Sequence, residues 1–188
     1  MAWMKTFADG MTGLRLVLSV ALTVLGSLAG SRGLDLAAAF VLTAWTTDAL
    51  DGPLARKSGV KTQSWIGRSD LFIDMLLALG LLYFMKSAGL LHPLVMLAYV
   101  AIWAVILWRF GSITKPLGAL FQGPVYLWFV ICLLVRRMLL GRILILWVLA
   151  NVTLTWNRLT RRDVPQFLQG VGRAARQLFG HVPERESS

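Results

Sequence analysis

The sequence predicts an all-α fold, an integral membrane bundle of six transmembrane helices with a C-terminal amphipathic helix lying on the membrane surface. Three observations carry this expectation. Of the 188 residues, 57% are hydrophobic, against roughly 45 to 50% in soluble domains, and the mean hydropathy is +0.68. Apolar runs approaching the about 20 residues that a span requires fall near residues 13–29, 34–52, 70–88, 91–109, 117–135 and 138–156. None shows the alternation of a transmembrane strand, so in lipid the backbone polar groups are best satisfied within helices.

The first run has no small-residue cleavage site ahead of it and reads as a retained helix. It contains Gly26 and Gly30, a GxxxG spacing that marks close packing. A link of only Ser31 to Gly33 leads into the second run, the polar stretch Lys57 to Ser64 leads towards the third, and His92 and Pro93 form a tight link into the fourth. Short links make successive helices antiparallel. With a cytoplasmic amino terminus, fourteen Lys and Arg fall on that side and five on the other, the bias of the positive-inside rule. Arg136, Arg137 and Arg142, between spans five and six, run against it. Trp108 and Trp156 stand where spans meet the interface, as an aromatic belt requires.

Residues 157–180 place Val164, Phe167, Leu168, Val171, Ala174, Ala175 and Leu178 on one helical stripe with arginines elsewhere, a surface-lying amphipathic pattern. A frayed soluble tail is the alternative. The expected organisation is therefore a catalytic bundle over 1–156 and a basic segment over 157–188.

The formal charge is +10, and no nucleic-acid-reading module accompanies it, so anionic lipid headgroups are the expected partners and nucleic acid is not. The single cysteine, Cys132, lies in an apolar run and excludes a disulfide framework or a CxxC knuckle.

Of nine acidic residues, four gather at the adjoining ends of spans two and three. Ionisable groups at membrane depth are costly and normally mark function, although Asp70 alone also fits a helix N-cap. Asp48, Asp51, Gly52 and Ala55 stand at i, i+3, i+4 and i+7 and share one helix face, neighbours being about 5 to 6 Å apart at Cβ. Asp70 and Asp74, at i and i+4, do the same on span three. Four converging carboxylates repel unless a cation joins them, and an all-oxygen donor set favours Mg²⁺ or Mn²⁺ over Zn²⁺. Two such ions about 3.5 to 4 Å apart suit chemistry at phosphorus. Gly52 and Ala55 offer a smooth wall, and Arg56 a fork of donors for a phosphate oxygen.

The run Asp48-Ala49-Leu50-Asp51-Gly52-Pro53-Leu54-Ala55-Arg56, followed by Asp70 and Asp74, closely resembles the signature of the CDP-alcohol phosphotransferase family, D-x2-D-G-x2-A-R followed by G-x3-D-x3-D. The first nine positions match in full, an agreement expected by chance on the order of 10⁻⁴ in a chain of this length. The second half departs from the pattern: Ile66 occupies the glycine position and Gly67 stands one residue later. Pro53 lies inside the motif's helix and lacks an N–H. The resemblance covers roughly residues 10–125 and includes Met11-Thr12-Gly13-Leu14-Arg15, which is similar to the opening of the first span in phosphatidylglycerophosphate synthases.

This resemblance implies six helices, cytoplasmic termini, a homodimer and a bacterial inner-membrane enzyme with its active site facing the cytoplasm. It implies that Asp48, Asp51, Asp70 and Asp74 bind two metal ions, that Asp48, Gly52, Ala55, Arg56 and Gly67 hold the CDP part of a CDP-lipid donor, and that Asp74 is the general base for a small alcohol or alcohol-phosphate acceptor. Arg109 and Lys115, with Ser112 and Thr114, flank the link between spans four and five and are candidates for an acceptor phosphate, with glycerol 3-phosphate favoured over inositol phosphate. They serve equally as positive-inside anchors. The competing classes are a membrane aromatic prenyltransferase, which releases pyrophosphate, and a catalytically silent scaffold or transporter.

Overall fold

The structure is a computed structural model that describes residues 2–57, 70–111, 113–158 and, beyond these, only 164, 165, 168, 169 and 172; side chains are described from Gly10 to Leu50, from Asp70 to Trp156 with Ser112 excepted, and at those last five positions. Every regular element among them is helical. The helices are α1 (Ala2–Ala29), α2 (Leu34–Lys57), α3 (Asp70–Ser87), α4 (Pro93–Phe110), α5 (Lys115–Val135) and α6 (Leu139–Arg158), with a 3₁₀ turn at Gly30–Gly33. The observed helices follow the six apolar runs closely. The exception is α1, whose helix begins eleven residues before its apolar run.

Local chemistry sets the ends. His92 caps α4, its Nδ1 accepting from the Leu94 N–H at 3.3 Å, and Pro93 follows at the first helical position, where a missing N–H costs nothing. Gly111 closes the helix at φ 63°, a left-handed conformation that glycine adopts without penalty. Gly30 adopts φ 51° in the turn between α1 and α2. The backbone of α2 continues through Pro53 to Lys57.

Four stretches are long and apolar enough to cross a membrane: Gly10–Leu50, Pro93–Phe110, Lys115–Val135 and Leu139–Trp156. The first takes in most of α1 and most of α2. α3, which carries Asp70, Asp74 and Lys86, falls outside this set, yet nine of its eighteen residues are buried. By contrast, α4 has no buried residue, and Leu94, Leu97 and Trp108 lie open on its surface. An apolar helix so exposed is suited to a lipid surrounding, and the chain is a membrane protein. The proposed surface helix over 157–180 lies largely outside the described residues.

The packing differs from a simple pairing of α2 with α3. Among the described residues, α1 packs along both α2 and α3, which make little direct contact with each other. The sequence α2, α1, α3, α5, α6 and back to α2 closes a ring of five helices, with α4 outside against α3. Leu22, Val41, Phe84, Phe129, Leu133 and Leu144 form its core. Phe84 and Phe129 meet edge to face at 6.4 Å. Trp45 joins α2 to α5 and α6 through Tyr126 and Trp147.

Small residues let α1 reach α3. A Cβ on Gly26 would lie 2.9 Å from the Phe84 Cα, and one on Gly80 would lie 2.5 Å from the Ser19 carbonyl oxygen. The Ser19 hydroxyl also donates to the Leu76 carbonyl at 2.6 Å. Gly26 therefore serves close packing as its spacing implied, but Gly30 serves the turn and the reciprocal contact comes from Gly80. Because the obstacle at Gly80 is backbone, Gly80→Val is expected to lower stability by about 1–3 kcal/mol, measured as a lower melting temperature of the detergent-solubilised protein.

Candidate active site

Three helices build one end of the bundle: the amino-terminal half of α1, the carboxyl end of α2 and the first turns of α3. Asp48, Asp70 and Asp74 meet there, each offering a carboxylate oxygen within 4.8 Å of the others. The i, i+4 spacing puts Asp70 and Asp74 on one face of α3, as expected. Their connection to Asp48 runs through α1.

Arg15 makes that connection. Its Nη1 donates to Asp48 Oδ1 at 3.0 Å and to Asp74 Oδ1, and its Nη2 donates to Asp70 Oδ1 at 2.7 Å. Thr12, one turn earlier, accepts from Nη2 at 3.3 Å and donates to Asp70 Oδ1 at 3.2 Å. The side chain of Arg15 is 1% exposed, whereas those of Asp74, Asp70 and Asp48 are 20%, 40% and 58% exposed. The guanidinium is thus the floor of the site and the carboxylates rise from it towards the mouth. Burying an arginine is tolerable because its donors meet charged acceptors, the strong kind of hydrogen bond.

Asp70 is the first residue of α3, where the helix dipole favours a negative charge, and its carboxylate reaches across to α1. The backbone of Asp51, Gly52, Ala55 and Arg56 continues α2 beyond Asp48, but their side chains lie outside those described. Gly67 and Ile66 lie outside the described residues altogether, as does Ser112.

Arg109 and Lys115 stand in the last turn of α4 and the first turn of α5, both exposed. They share the aspartates' end of the bundle, since a Cβ on Gly118 would lie 2.5 Å from Cδ1 of Leu71, next to Asp70. Among the described residues, no hydrogen bond or ion pair joins either cation to the three carboxylates. Thr114 is the N-cap residue of α5 without a side-chain capping bond.

Arg15 and Thr12 are the site residues that the motif spacing missed. Arg15 interrupts an otherwise apolar run, and an ionisable residue at such depth is a functional signal in its own right. The segment Met11 to Arg15 resembles the opening of the first span in phosphatidylglycerophosphate synthases, but that likeness gives neither Thr12 nor Arg15 a role at the aspartates.

The donor set fits a divalent cation. Oxygens bound to one Mg²⁺ at about 2.1 Å lie no more than about 4.2 Å apart, so a cluster within 4.8 Å has only tenths of an ångström to close. The donors are hard anionic oxygens, the type that Mg²⁺ and Mn²⁺ prefer. Three carboxylates against one guanidinium leave a net charge of −2, which one divalent cation balances.

Comparison with known proteins agrees with this chemistry. A model of the family described as CDP-alcohol phosphatidyltransferase matches residues 5–120, which include all but the first three residues of α1, the whole of α2 and α3, and every residue of the cluster. No curated protein and no solved structure matches the chain. With more than half its length matched and Asp48, Asp70 and Asp74 of the signature gathered at one site, the chain belongs to the CDP-alcohol phosphatidyltransferase family.

Proposed function

We propose that the protein transfers a phosphatidyl group from CDP-diacylglycerol to the hydroxyl of glycerol 3-phosphate, releasing CMP. The family supplies the reaction class, phosphatidyl transfer from a CDP-alcohol to an alcohol acceptor in phospholipid synthesis. The observation that carries the site is the convergence of Asp48, Asp70 and Asp74 over a buried arginine.

In this reading Asp48, Asp51, Asp70 and Asp74 hold two divalent ions, Mg²⁺ or Mn²⁺. When bound, such ions neutralise charge on the diphosphate and improve CMP as a leaving group. Asp48, Gly52, Ala55, Arg56 and Gly67 receive the CDP part, the guanidinium of Arg56 taking a phosphate oxygen. Asp74 removes the proton from the acceptor hydroxyl. The acceptor oxygen then bonds to the lipid-linked phosphorus as the bond from that phosphorus to the CMP oxygen breaks, CMP leaving with the electron pair. Arg15, which donates to Oδ1 of Asp74, restricts it to the orientation that proton removal requires.

The lean towards a phosphorylated acceptor rests on Arg109 and Lys115, two exposed cations at the same end as the aspartates. Losing one charge-assisted hydrogen bond costs about 1.5–3 kcal/mol, so Arg109→Ala is expected to raise the acceptor KM by about tenfold or more while the CDP-lipid KM changes little. Steady-state kinetics in each substrate checks this, and equal changes in both would assign Arg109 a structural role.

The same cationic end supports a cytoplasmic active site in a bacterial inner membrane, with all six helices of residues 1–156 crossing and the basic segment 157–188 on the surface. The family resemblance is what supports a homodimer. The deciding experiment incubates the purified protein with CDP-diacylglycerol, Mg²⁺ or Mn²⁺, and glycerol 3-phosphate, inositol phosphate, inositol or serine in turn. Phosphatidylglycerophosphate is the expected lipid. Exclusive use of inositol phosphate or an unphosphorylated alcohol would overturn the acceptor assignment.

A further inference from the structure

We propose that Arg15 is the resident counter-cation of the aspartate cluster, a side chain from α1 that holds Asp48, Asp70 and Asp74 together until a divalent ion shares that task. The inference rests on reading the cluster as a metal site. It goes further by assigning a role to a residue outside the aspartate signature.

The geometry is specific. One guanidinium donates to the same oxygen, Oδ1, of three carboxylates on two different helices. Each carboxylate has a second oxygen, so the same side chain can answer both to the arginine and to a metal. Because α2 and α3 have little direct contact, mutual repulsion of their carboxylates would drive the two helices apart at this end. Arg15 and Thr12 enter from the helix packed between them, and Thr12 ties the guanidinium to Asp70 a second time. The guanidinium, 1% exposed, neutralises the cluster from its buried side, while water reaches the carboxylates only from the mouth.

Two cations that neutralise the same anions each lessen the need for the other. Arg15 and the metal are therefore coupled antagonistically in stability, and by linkage the metal stabilises most where the arginine is missing. A residue that only packed α1 against its neighbours would show no such coupling.

The test measures the melting temperature of the full chain in detergent for wild type, Arg15→Gln and Arg15→Lys, with chelator and with saturating Mn²⁺. Without metal, Arg15→Gln is expected to melt below wild type, and Arg15→Lys, which keeps the charge, in between. With Mn²⁺ the gap between wild type and Arg15→Gln is expected to shrink to less than half. A gap of unchanged or larger size with Mn²⁺ would overturn the proposal. Should Arg15→Gln fail to fold in both conditions, the gap of Arg15→Lys decides by the same criterion. Mn²⁺ binding to wild type, read from loss of the free-ion EPR signal, separates the two levels. Absence of binding would remove the metal site itself, whereas binding with an unaltered gap would remove only the role of Arg15.

Discussion

Asp74→Asn is expected to reduce turnover by about 10²–10⁴-fold, the usual contribution of a positioned general base, while the affinity for the CDP-lipid changes little. The substitution conserves shape and one oxygen, which can face either the Arg15 guanidinium or a metal, and Asp48, Asp51 and Asp70 retain their carboxylates. Asp48 and Asp70 also continue to engage the guanidinium. What disappears is the ability to accept the acceptor's proton. Single-turnover measurement of CMP release, alongside equilibrium binding of the CDP-lipid, checks both halves. Turnover at the wild-type rate would remove Asp74 from the role of base.

Asp48→Asn is expected to act through the metal. Asp48 is the carboxylate that α2 contributes to the described cluster, and its bond to Arg15 ties α2 to the α1–α3 pair. Outer-shell changes at metal sites cost about 10–100-fold in metal affinity or activity, and loss of a ligand charge should cost no less. The half-saturating Mg²⁺ concentration is therefore expected to rise by about 10–100-fold or more, with CDP-lipid binding weakened alongside. Raising the metal concentration should recover a larger share of the activity lost in Asp48→Asn than of that lost in Asp74→Asn, where no metal replaces the missing proton acceptor. Activity titrations of both variants against Mg²⁺ and Mn²⁺ make the comparison, and equal recovery of the two at saturating metal would contradict the division of roles.

The helical elements were largely legible in the sequence because lipid simplifies the problem: an apolar run of sufficient length has few structures open to it. Even the link at His92 and Pro93 was readable, since a proline at the first helical position and a polar cap before it signal a helix start. The start of α1 was not, because Ala2 to Thr12 carries no sustained apolar stripe to announce a helix. On the site, spacing alone paired Asp70 with Asp74, a relation between near neighbours on one helix.

Relations between helices were harder to read. Antiparallel order put the ends of α2 and α3 on one side of the bundle, but nothing in it requires α1 to stand between them. That placement depends on Gly80 admitting the Ser19 backbone and on Ser19 finding a carbonyl on α3, contacts separated by more than fifty residues in the chain. The place of Arg15 at the aspartates was not legible for the same reason. Its partners lie 33, 55 and 59 residues away, and no helical periodicity encodes such distances.

Release of CMP from CDP-diacylglycerol by the purified protein, followed before and after chelation and again after adding back Mg²⁺ or Mn²⁺, tests the proposed chemistry most directly. The aspartate cluster predicts CMP and a new phosphatidyl lipid in equal amounts, abolished by the chelator and restored by either ion. CMP release that persists after chelation, or no CMP release with any acceptor while the metal is present, would contradict it.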